Sequence, residues 1–498
     1  MIDHIPTTTG LSLMISCGCN LDCEYCRIAQ AKNADSHRLQ QATAQALSDG
    51  SFLQNVKNAL IRLNISPAGI TGISFWGQEP TLNLHLVTEH IADWLETFPY
   101  LSGISFSTNT VAYVDRIVDL LVAVDNIVTR PFHFGIQLSY DGEYQTDNKR
   151  GVKPSVIHDN LTHMFTRLNS ISFKHIHASF NSHGVLTLEL LKELQTREAI
   201  IQYNKGLLDW GKEFYLLNHN PKVSMNPYVD LSLENPVEAT VEDGLNLTRF
   251  CDLSSRINLE EFYDTSYLDG SDITLPMAYE FLYHAYDVVL DTISNICVQF
   301  QCHDTRELLM KMSQDNILRH EVLTEIGHLC FCGHGNGELK FLYDGTLIGC
   351  QNHIYDTNEE FLPPVTDINS AVKHALATHK YFPNALTATD DELTHYFWLF
   401  RSLKEHSFDF MFTAMININL ALCGTRLINS SYDDASKLIL HSLLVAVFNA
   451  CSFNNQIMTG SIYLKHTGYS KLYLNGFLDG MLEYVNRRIP EGGGPKIV

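Results

Sequence analysis

The sequence predicts an α/β protein whose first half is a partial (β/α)6 barrel of the TIM type. Six short apolar segments alternate with stretches of helical spacing between residues 11 and 218. Such alternation indicates parallel βαβ units. Polar signatures follow the segments at the points where they end, which is the edge where the sites of barrel enzymes lie. We therefore expect a functional site at the carboxyl ends of the strands.

The individual elements follow from runs of apolar residues and from helical periodicity. The predicted strands cover residues 11–16, 72–76, 104–108, 134–139, 175–180 and 214–218. The predicted helices cover residues 40–63, 84–98, 114–124, 155–168 and 186–195. Pro154 precedes the fourth helix, as expected of a residue that favours the first helical turn.

Beyond about residue 226 the alternation stops, and the chain is predicted to continue in a different architecture. We predict a core domain over residues 1–235, a helical bridging region over 236–328, a small β-hairpin module over 329–366 and a helical C-terminal region over 367–498. The hairpin is predicted from residues 338–343 and 346–350, because Asp344-Gly345 between two short apolar runs favours a tight turn. The Gly- and Pro-rich tail is expected to be flexible.

Composition limits the function classes. The chain has 498 residues and a formal net charge of -22, without a basic run, which argues against nucleic-acid binding. Its uncharged stretches near residues 410–425 and 438–464 contain several Asn and Gln residues, so buried helices are favoured over membrane spans. The start lacks a signal-peptide pattern, and clustered thiols indicate metal binding or catalysis in a reducing compartment. We expect a cytoplasmic location.

Three cysteines share one loop directly after the first predicted strand. Cys19, Cys23 and Cys26 have the spacing C-x3-C-x2-C, with Tyr25 before the last cysteine. Three thiolates can hold a small iron–sulfur cluster, but they cannot supply the four ligands of a closed zinc site or of a four-cysteine cluster. One iron would remain open for chemistry. A zinc knuckle or a chance group of thiols is the alternative, and Cys17 is expected to be a bystander.

The pattern C-x3-C-x-aromatic-C after a first strand resembles the radical S-adenosylmethionine (SAM) superfamily. The resemblance implies that Cys19, Cys23 and Cys26 hold a [4Fe-4S] cluster, that SAM binds at its open iron, and that Tyr25 belongs to the SAM site.

Two further stretches extend this resemblance. Residues 77–80 resemble the family's Gly-Gly-Glu-Pro stretch, which holds the SAM amino group; here it stands as Gly77-Gln78-Glu79-Pro80, with Gln78 in place of the second glycine. A carboxylate and main-chain carbonyls suit an ammonium group.

Residues 136–142 and 147–150 resemble a pattern typical of radical SAM enzymes that carry a cysteine-rich C-terminal module. This second resemblance implies that Ser139 and Arg150 bind the SAM carboxylate, for which Arg offers a planar donor fork. Ser107 and Asn109, at the end of the third strand, are expected to face the ribose hydroxyls. A surface arginine is the plain alternative for Arg150.

A third signature lies far along the chain. Cys332, Gly345 and Cys350 are separated by twelve and four residues and resemble the opening half of a SPASM module or of its shortened form, twitch. These modules hold auxiliary iron–sulfur clusters. The C-x2-C-x5-C stretch of a full SPASM module is missing, so we expect one auxiliary cluster. Its ligands would be Cys332 and Cys350 with two of Cys330, Cys423 and Cys451; structural thiols or a zinc site are the alternative.

The resemblance implies an enzyme that reductively cleaves SAM to a 5′-deoxyadenosyl radical, with electrons from a donor such as flavodoxin or ferredoxin. The leading hypothesis is hydrogen abstraction from a peptide or protein substrate, as in peptide maturases. A dehydrogenase or epimerase of a small polar metabolite is the second hypothesis. A non-catalytic iron–sulfur sensor or scaffold is the third, and it is disfavoured because a sensor needs neither Arg150 nor residues 77–80. The sequence identifies no catalytic acid or base.

Overall fold

The computed structural model describes residues 8–26, 34–233, 240–246, 338–348 and 383–394, together with a few isolated positions. Seven parallel strands form one sheet in the order β6-β5-β4-β3-β2-β1-β7. The strands are β1 Gly10–Ser16, β2 Gly72–Gly77, β3 Gly103–Thr108, β4 Phe132–Ser139, β5 Ile176–Leu186, β6 Val223–Leu233 and β7 Glu338–Phe341. The sheet is consistent with a partial TIM-like core, as the sequence predicts.

Helices connect the strands. They are α1 Ala34–Ser48, α2 Ser51–Arg62, α3 Leu84–Glu89, α4 Ile91–Thr97, α5 Val114–Ile127, α6 Glu143–Asn148, α7 Pro154–Asn169, α8 Leu188–Glu193 and α9 Arg197–Leu217. Within the described part of the chain, no helix combines the length and the apolar character that crossing a bilayer requires.

Alternation along each strand separates the two faces of the sheet. In β1, Leu11, Leu13 and Ile15 join the main apolar core, in which the strands pack against residues of the helices. Ser12 and Ser16 alternate with them and therefore lie on the opposite face. Parallel sheets are usually apolar on both faces. The polar character of the second face therefore distinguishes this sheet and leaves that face suited to a site.

The predicted sixth strand at residues 214–218 is wrong. These residues end α9, and β6 begins five residues later at Val223. The apolar run of Phe214 and its successors is the last turn of a helix that also buries Leu207 and Trp210, at helical spacing from Phe214. A short apolar run at the end of an amphipathic helix is easily taken for a strand.

Two predicted helices are each divided. The helix predicted over residues 40–63 is α1 and α2, separated at Gly50, whose φ of 77° lies in the left-handed region. The helix predicted over residues 84–98 is α3 and α4, which meet at His90. The other predicted helices and strands of the barrel are present, with ends shifted by a few residues. The exception is β5, which was predicted to end at residue 180 and runs on to Leu186. The last predicted helix therefore begins after Leu186, as α8.

The position of β7 was not anticipated. Residues 338–341 pair in parallel with β1, so this strand extends the main sheet. A turn follows, in which Leu342 N–H donates to the Thr346 carbonyl at 2.9 Å and Gly345 has a φ of 84°. Leu347 returns antiparallel beside Phe341. Cys330, Cys332, Cys350, Cys423 and Cys451 lie outside the described residues, as do nearly all of the regions 236–328 and 367–498.

Candidate functional site

The cysteine loop leaves β1 at the carboxyl edge of the sheet. Cys19, Cys23 and Cys26 are half-buried, and none of the three forms a disulfide. Cys26 N–H donates to the Cys23 carbonyl at 3.0 Å, and Leu21 N–H approaches the Cys19 sulfur at 3.4 Å. Within the described residues, no three His, Cys, Asp or Glu side chains are gathered closely enough for a single metal ion. A four-iron cluster is wider than one ion, so its ligands must stand further apart.

Cys17 lies close to this loop in sequence but is placed differently. Its side chain is buried in a small apolar cluster with Met14, Trp76 and Ile348. The Cys17 sulfur lies 3.5 Å from the Thr43 hydroxyl. This environment agrees with the prediction of a bystander thiol.

Asp141, directly after Tyr140 at the end of β4, joins the cysteine loop to the sheet. One carboxylate oxygen accepts a hydrogen bond from the Tyr25 hydroxyl, and the other accepts the Val185 N–H at 2.7 Å. The Asp141 carboxylate also lies 3.7 Å from the Arg150 guanidinium, and both side chains are almost fully buried. Asp141 thus connects Tyr25, β5 and Arg150 at one point.

Arg150 is held by backbone carbonyls at the strand ends. It donates to the carbonyl of Ser139 at 2.7 Å and to that of Asn109 at 3.2 Å. Burial disfavours its charge, but Asp141 holds the pKa of the Arg150 guanidinium above its ordinary value. The alternative that Arg150 is a surface residue is therefore wrong, since it is only 4% exposed.

The same environment affects the thiol and the phenol of the loop. Burial raises the pKa of the Cys23 thiol to about 11, although the positive charge of Arg150 opposes this shift. Burial, reinforced by Asp141, also raises the pKa of the Tyr25 hydroxyl far above its ordinary value. Without a bound metal, this environment therefore favours the protonated forms of Cys23 and Tyr25. A cluster that takes up Cys23 as a thiolate must displace its proton.

The Glu79 carboxylate connects the end of β2 with the end of β3 through hydrogen bonds. One carboxylate oxygen accepts from the Thr81 hydroxyl at 2.6 Å and from Thr81 N–H at 3.2 Å, and the other accepts Asn109 N–H at 2.7 Å. Burial raises the pKa of this carboxyl group. In addition, Glu79 N–H donates to the Gly18 carbonyl at 3.0 Å, which ties this segment to the cysteine loop.

Gly77 is required by the close approach of β1. Its φ is 134°, and a Cβ atom there would lie 1.8 Å from the carbonyl oxygen of Ser16. Gln78 follows with its N–H donated to that same carbonyl at 3.2 Å. The motif is thus a tight backbone junction between the end of β2 and the start of the cysteine loop.

Asn109 completes the contacts to the cysteines. Its side-chain amide donates to Asn20 Oδ1 at 2.8 Å and lies 3.6 Å from the Cys19 sulfur. Ser139 contributes its carbonyl to Arg150, and its half-buried side chain lies on the face of β4 opposite the main apolar core. Ser107 lies on the same face of β3, in register with Gln137. The predicted residues of the first site therefore gather at one edge of the sheet.

Sequence reasoning missed Asp141 and Lys149 as members of this region. Asp141 was available as a carboxylate directly after a buried strand. The Lys149 ammonium bridges Glu24 of the cysteine loop at 2.9 Å and Glu189 of α8 at 2.5 Å. Both residues stood inside or beside a quoted motif. Their contacts, however, join segments far apart in sequence, which no local pattern reveals.

Comparison with known proteins agrees with this geometry. Residues 9–149 match the model of a family described as a 4Fe-4S single cluster domain, a family found in radical SAM enzymes. Neither the curated proteins nor the solved structures gave a match. The matched segment contains all three loop cysteines and ends just before Arg150. It indicates a 4Fe-4S protein of the radical SAM type and does not extend to Cys332 or Cys350.

Proposed function

We propose that this chain is a radical SAM enzyme that abstracts a hydrogen atom from a peptide or protein substrate. The observation that carries the proposal is the convergence of the cysteine loop, Glu79, Asn109 and Arg150 at one carboxyl edge of a parallel sheet. A protein that only stored a cluster would need neither the buried guanidinium of Arg150 nor the glycine at position 77.

The residues present fit a cluster with one open iron. Cys19, Cys23 and Cys26 would hold it, and the N–H of Leu21 and the amide of Asn109 already lie beside the Cys19 sulfur. Such N–H groups stabilise thiolates and tune the potential of the bound iron. The positive charge of Arg150 near Cys23 also offsets the negative charge that three thiolates bring.

When bound, the cluster would supply one electron for cleavage of SAM into methionine and a 5′-deoxyadenosyl radical, which takes the hydrogen atom from the substrate. Arg150 and Ser139 would orient the SAM carboxylate, while backbone carbonyls of residues 77–80 would receive its ammonium group. Both oxygens of Glu79 already accept hydrogen bonds, so Glu79 would shape this turn more than it would bind the ammonium itself. Ser107 and Asn109 would face the ribose.

An auxiliary cluster held by Cys332 and Cys350 belongs to the same proposal, on the strength of their spacing around Gly345. It would exchange an electron with the substrate or bind it. An external donor such as flavodoxin or ferredoxin would reduce the first cluster. The clustered thiols favour the reducing cytoplasm as the location of this protein.

Anaerobic reconstitution followed by iron analysis and by incubation with SAM and a reductant tests this proposal. We expect about eight irons per chain and release of 5′-deoxyadenosine. Replacing Cys19, Cys23 and Cys26 together with Ala should abolish release, whereas replacing Cys332 and Cys350 should preserve it and remove about four irons. A fully loaded protein that releases no 5′-deoxyadenosine would overturn the proposal.

A further inference from the structure

In the described strands, the face of the sheet opposite the main apolar core carries small polar side chains, together with Met14 and Trp76, against which Leu39 of α1 packs. One row that runs across all seven strands in register consists of serines, one glycine and one lysine: Lys340, Ser12, Ser74, Ser105, Gly135, Ser179 and Ser224. Closed TIM barrels fill the corresponding layers with bulky branched residues. Serine and glycine leave that volume open, and Ser105 in the middle of the row is exposed. The face can therefore admit a ligand.

The next row toward the cysteine loop carries larger hydrogen-bonding groups. Met14 is in register with Trp76, and Ser107 is in register with Gln137, which in turn is in register with Asn181. Ser107 and Gln137 are half-buried and Asn181 is exposed. None of these side chains carries a charge. The row itself therefore suits a neutral polar group, and the Lys340 ammonium of the first row lies 5.9 Å from the centre of the Trp76 ring.

Two residues at the end of β2 have buried polar atoms without partners. In the described part of the chain, the indole Nε1 of Trp76 and both amide atoms of Gln78 are inaccessible to solvent and make no hydrogen bond. Trp76 is 8% exposed. Buried polar groups of native proteins are nearly always paired, and those that are not call for an explanation such as a missing ligand.

The neighbouring polar groups make the contrast clear. Glu79 accepts three hydrogen bonds at its carboxylate, and the side chain of Asn83 donates to the Ile15 carbonyl at 2.7 Å. Polar groups of this turn that support the fold are therefore satisfied. Between residues 76 and 83, the buried side-chain atoms without partners belong to Gln78 and Trp76; other described residues, among them His85 and Arg150, also have one such atom. Gln78 also occupies the position at which the Gly-Gly-Glu-Pro stretch of the radical SAM family has its second glycine.

We infer that Gln78 and Trp76 form a subsite that binds an amide group of the substrate. This inference rests on the proposed function and assigns its substrate class, a peptide. The carboxamide of Gln78 offers an N–H donor and a carbonyl acceptor side by side, which is the complement of a peptide group. The Trp76 indole N–H adds a second donor for a carbonyl, and Gln137 and Asn181 continue the neutral lining.

The test observes Trp76 directly. The chain contains four tryptophans, so protein labelled with 5-fluorotryptophan gives a simple fluorine NMR spectrum that the Trp76→Phe variant assigns. The reconstituted, SAM-saturated protein is titrated with N-acetyl-trialanine amide, with its analogue in which an ester oxygen replaces the central N–H, and with sorbitol. We expect the peptide to shift the Trp76 resonance and the ester to require roughly tenfold higher concentration. Sorbitol should leave the resonance unchanged.

Substitution of Gln78 separates this subsite from a general effect of peptide. Gln78→Ala removes the amide, and Gln78→Glu keeps its shape but loses the N–H donor. Both variants should require about tenfold more peptide to shift the Trp76 resonance. Gln54→Ala is the matched control, because Gln54 is exposed on α2 and bonds only to Asn58 at 2.8 Å among the described contacts. Cluster absorbance verifies that each variant folds.

Three results would overturn the inference: an unmoved Trp76 resonance, an equal response to sorbitol, or variants of Gln78 that titrate like the wild type. A fourth is that SAM alone shifts the Trp76 resonance and that the peptide then shifts it no further, since Gln78 would then bind the cofactor. Release of 5′-deoxyadenosine without peptide reports on the proposed function separately. Release with an unmoved Trp76 removes the subsite and leaves the enzyme.

Discussion

Replacing Asp141 with Asn tests whether the buried ion pair organises the cysteine loop. Asp141 is 1% exposed and lies 3.7 Å from the guanidinium of Arg150, which is 4% exposed. Asn keeps the shape and can still accept the Val185 N–H, but it removes the counter-charge. Among the described contacts, Arg150 would retain the carbonyls of Ser139 and Asn109 and its interaction with Cys23.

The expected cost is large because it leaves a charge buried without its partner. Removing one member of a buried pair typically destabilises a protein by about 3–5 kcal/mol. With a urea dependence of about 1–3 kcal/mol per molar, the unfolding midpoint of the barrel should fall by roughly 1 M or more. The protein is unfolded in urea and followed by tryptophan fluorescence. Midpoints are compared within the transition that contains the barrel, since so long a chain need not unfold in one step.

A second buried aspartate provides the matched control. Asp125 accepts the N–H groups of Lys174, His175 and Ile176 before β5, with no arginine among its described contacts. Asp125→Asn should cost about 1–3 kcal/mol, as weakened hydrogen bonds to a charged group do. It should leave cluster uptake at the other edge of the sheet intact. Asp141→Asn should reduce cluster uptake as well, because Tyr25 loses its carboxylate partner. Equal midpoints for the two variants, or full cluster uptake by Asp141→Asn, would refute this reasoning.

Three further outcomes are expected. Gly77→Ala should abolish cluster uptake, measured by absorbance, because its Cβ would lie 1.8 Å from the Ser16 carbonyl, whereas Gly69→Ala, with nothing within 4 Å, should behave as wild type. Burial alone would raise the pKa of Asp125, but the backbone N–H groups lower it below its ordinary value. The contribution of Asp125 to stability is therefore present above about pH 4 and is lost as the pH falls through its folded pKa. The difference in unfolding free energy between wild type and Asp125→Asn should become smaller on acidification, and a difference that grows would contradict this. Arg62→Met removes donors to the carbonyls of residues 385 and 388 and should speed proteolysis within residues 383–394; an unchanged cleavage rate would mean that other contacts hold this segment.

The strand ends could be predicted because they depend on local signals. A buried strand that ends in a polar motif is recognisable from a few residues, and β1 to β4 follow this rule. The cysteine loop and residues 77–80 could be placed at one edge because parallel strands share their carboxyl ends. Arg150 lies beyond α6 and not at a strand end, so its position beside Asn109 does not follow from this rule; its membership of the site was expected from the family resemblance.

The remaining features depend on contacts between distant segments. Whether the run beginning at Phe214 is helix or strand depends on whether Trp210 and Leu207 pack on the same face, and a short window does not show this. The parallel pairing of β7 with β1 joins residues more than 320 positions apart. Asp141 looks like any turn aspartate until the fold brings Tyr25 and Arg150 to it. Periodicity carries no information on such pairings.

The placement of β7 bears on whether the two proposed clusters are separate centres. Lys340 is in register with Ser12, and Ile348 N–H donates to the Lys340 carbonyl at 3.1 Å. Ser12 precedes Ser16, where the strand feeds the cysteine loop, by four residues, or about 13 Å of extended chain. Ile348, however, packs with Cys17, which precedes Cys19 by two residues, so the chain passes close to that loop two residues before Cys350.

Because Cys19, Cys23 and Cys26 have a complete C-x3-C-x2-C spacing of their own, we predict that the Cys332→Ala, Cys350→Ala double variant leaves the electron paramagnetic resonance signal of the first reduced cluster unchanged and removes a second, distinct signal. The matched control is Cys17→Ala, whose buried thiol lies in the apolar cluster beside Thr43 and should affect neither signal. Loss of the first signal in the double variant would mean that both sets of cysteines serve one centre.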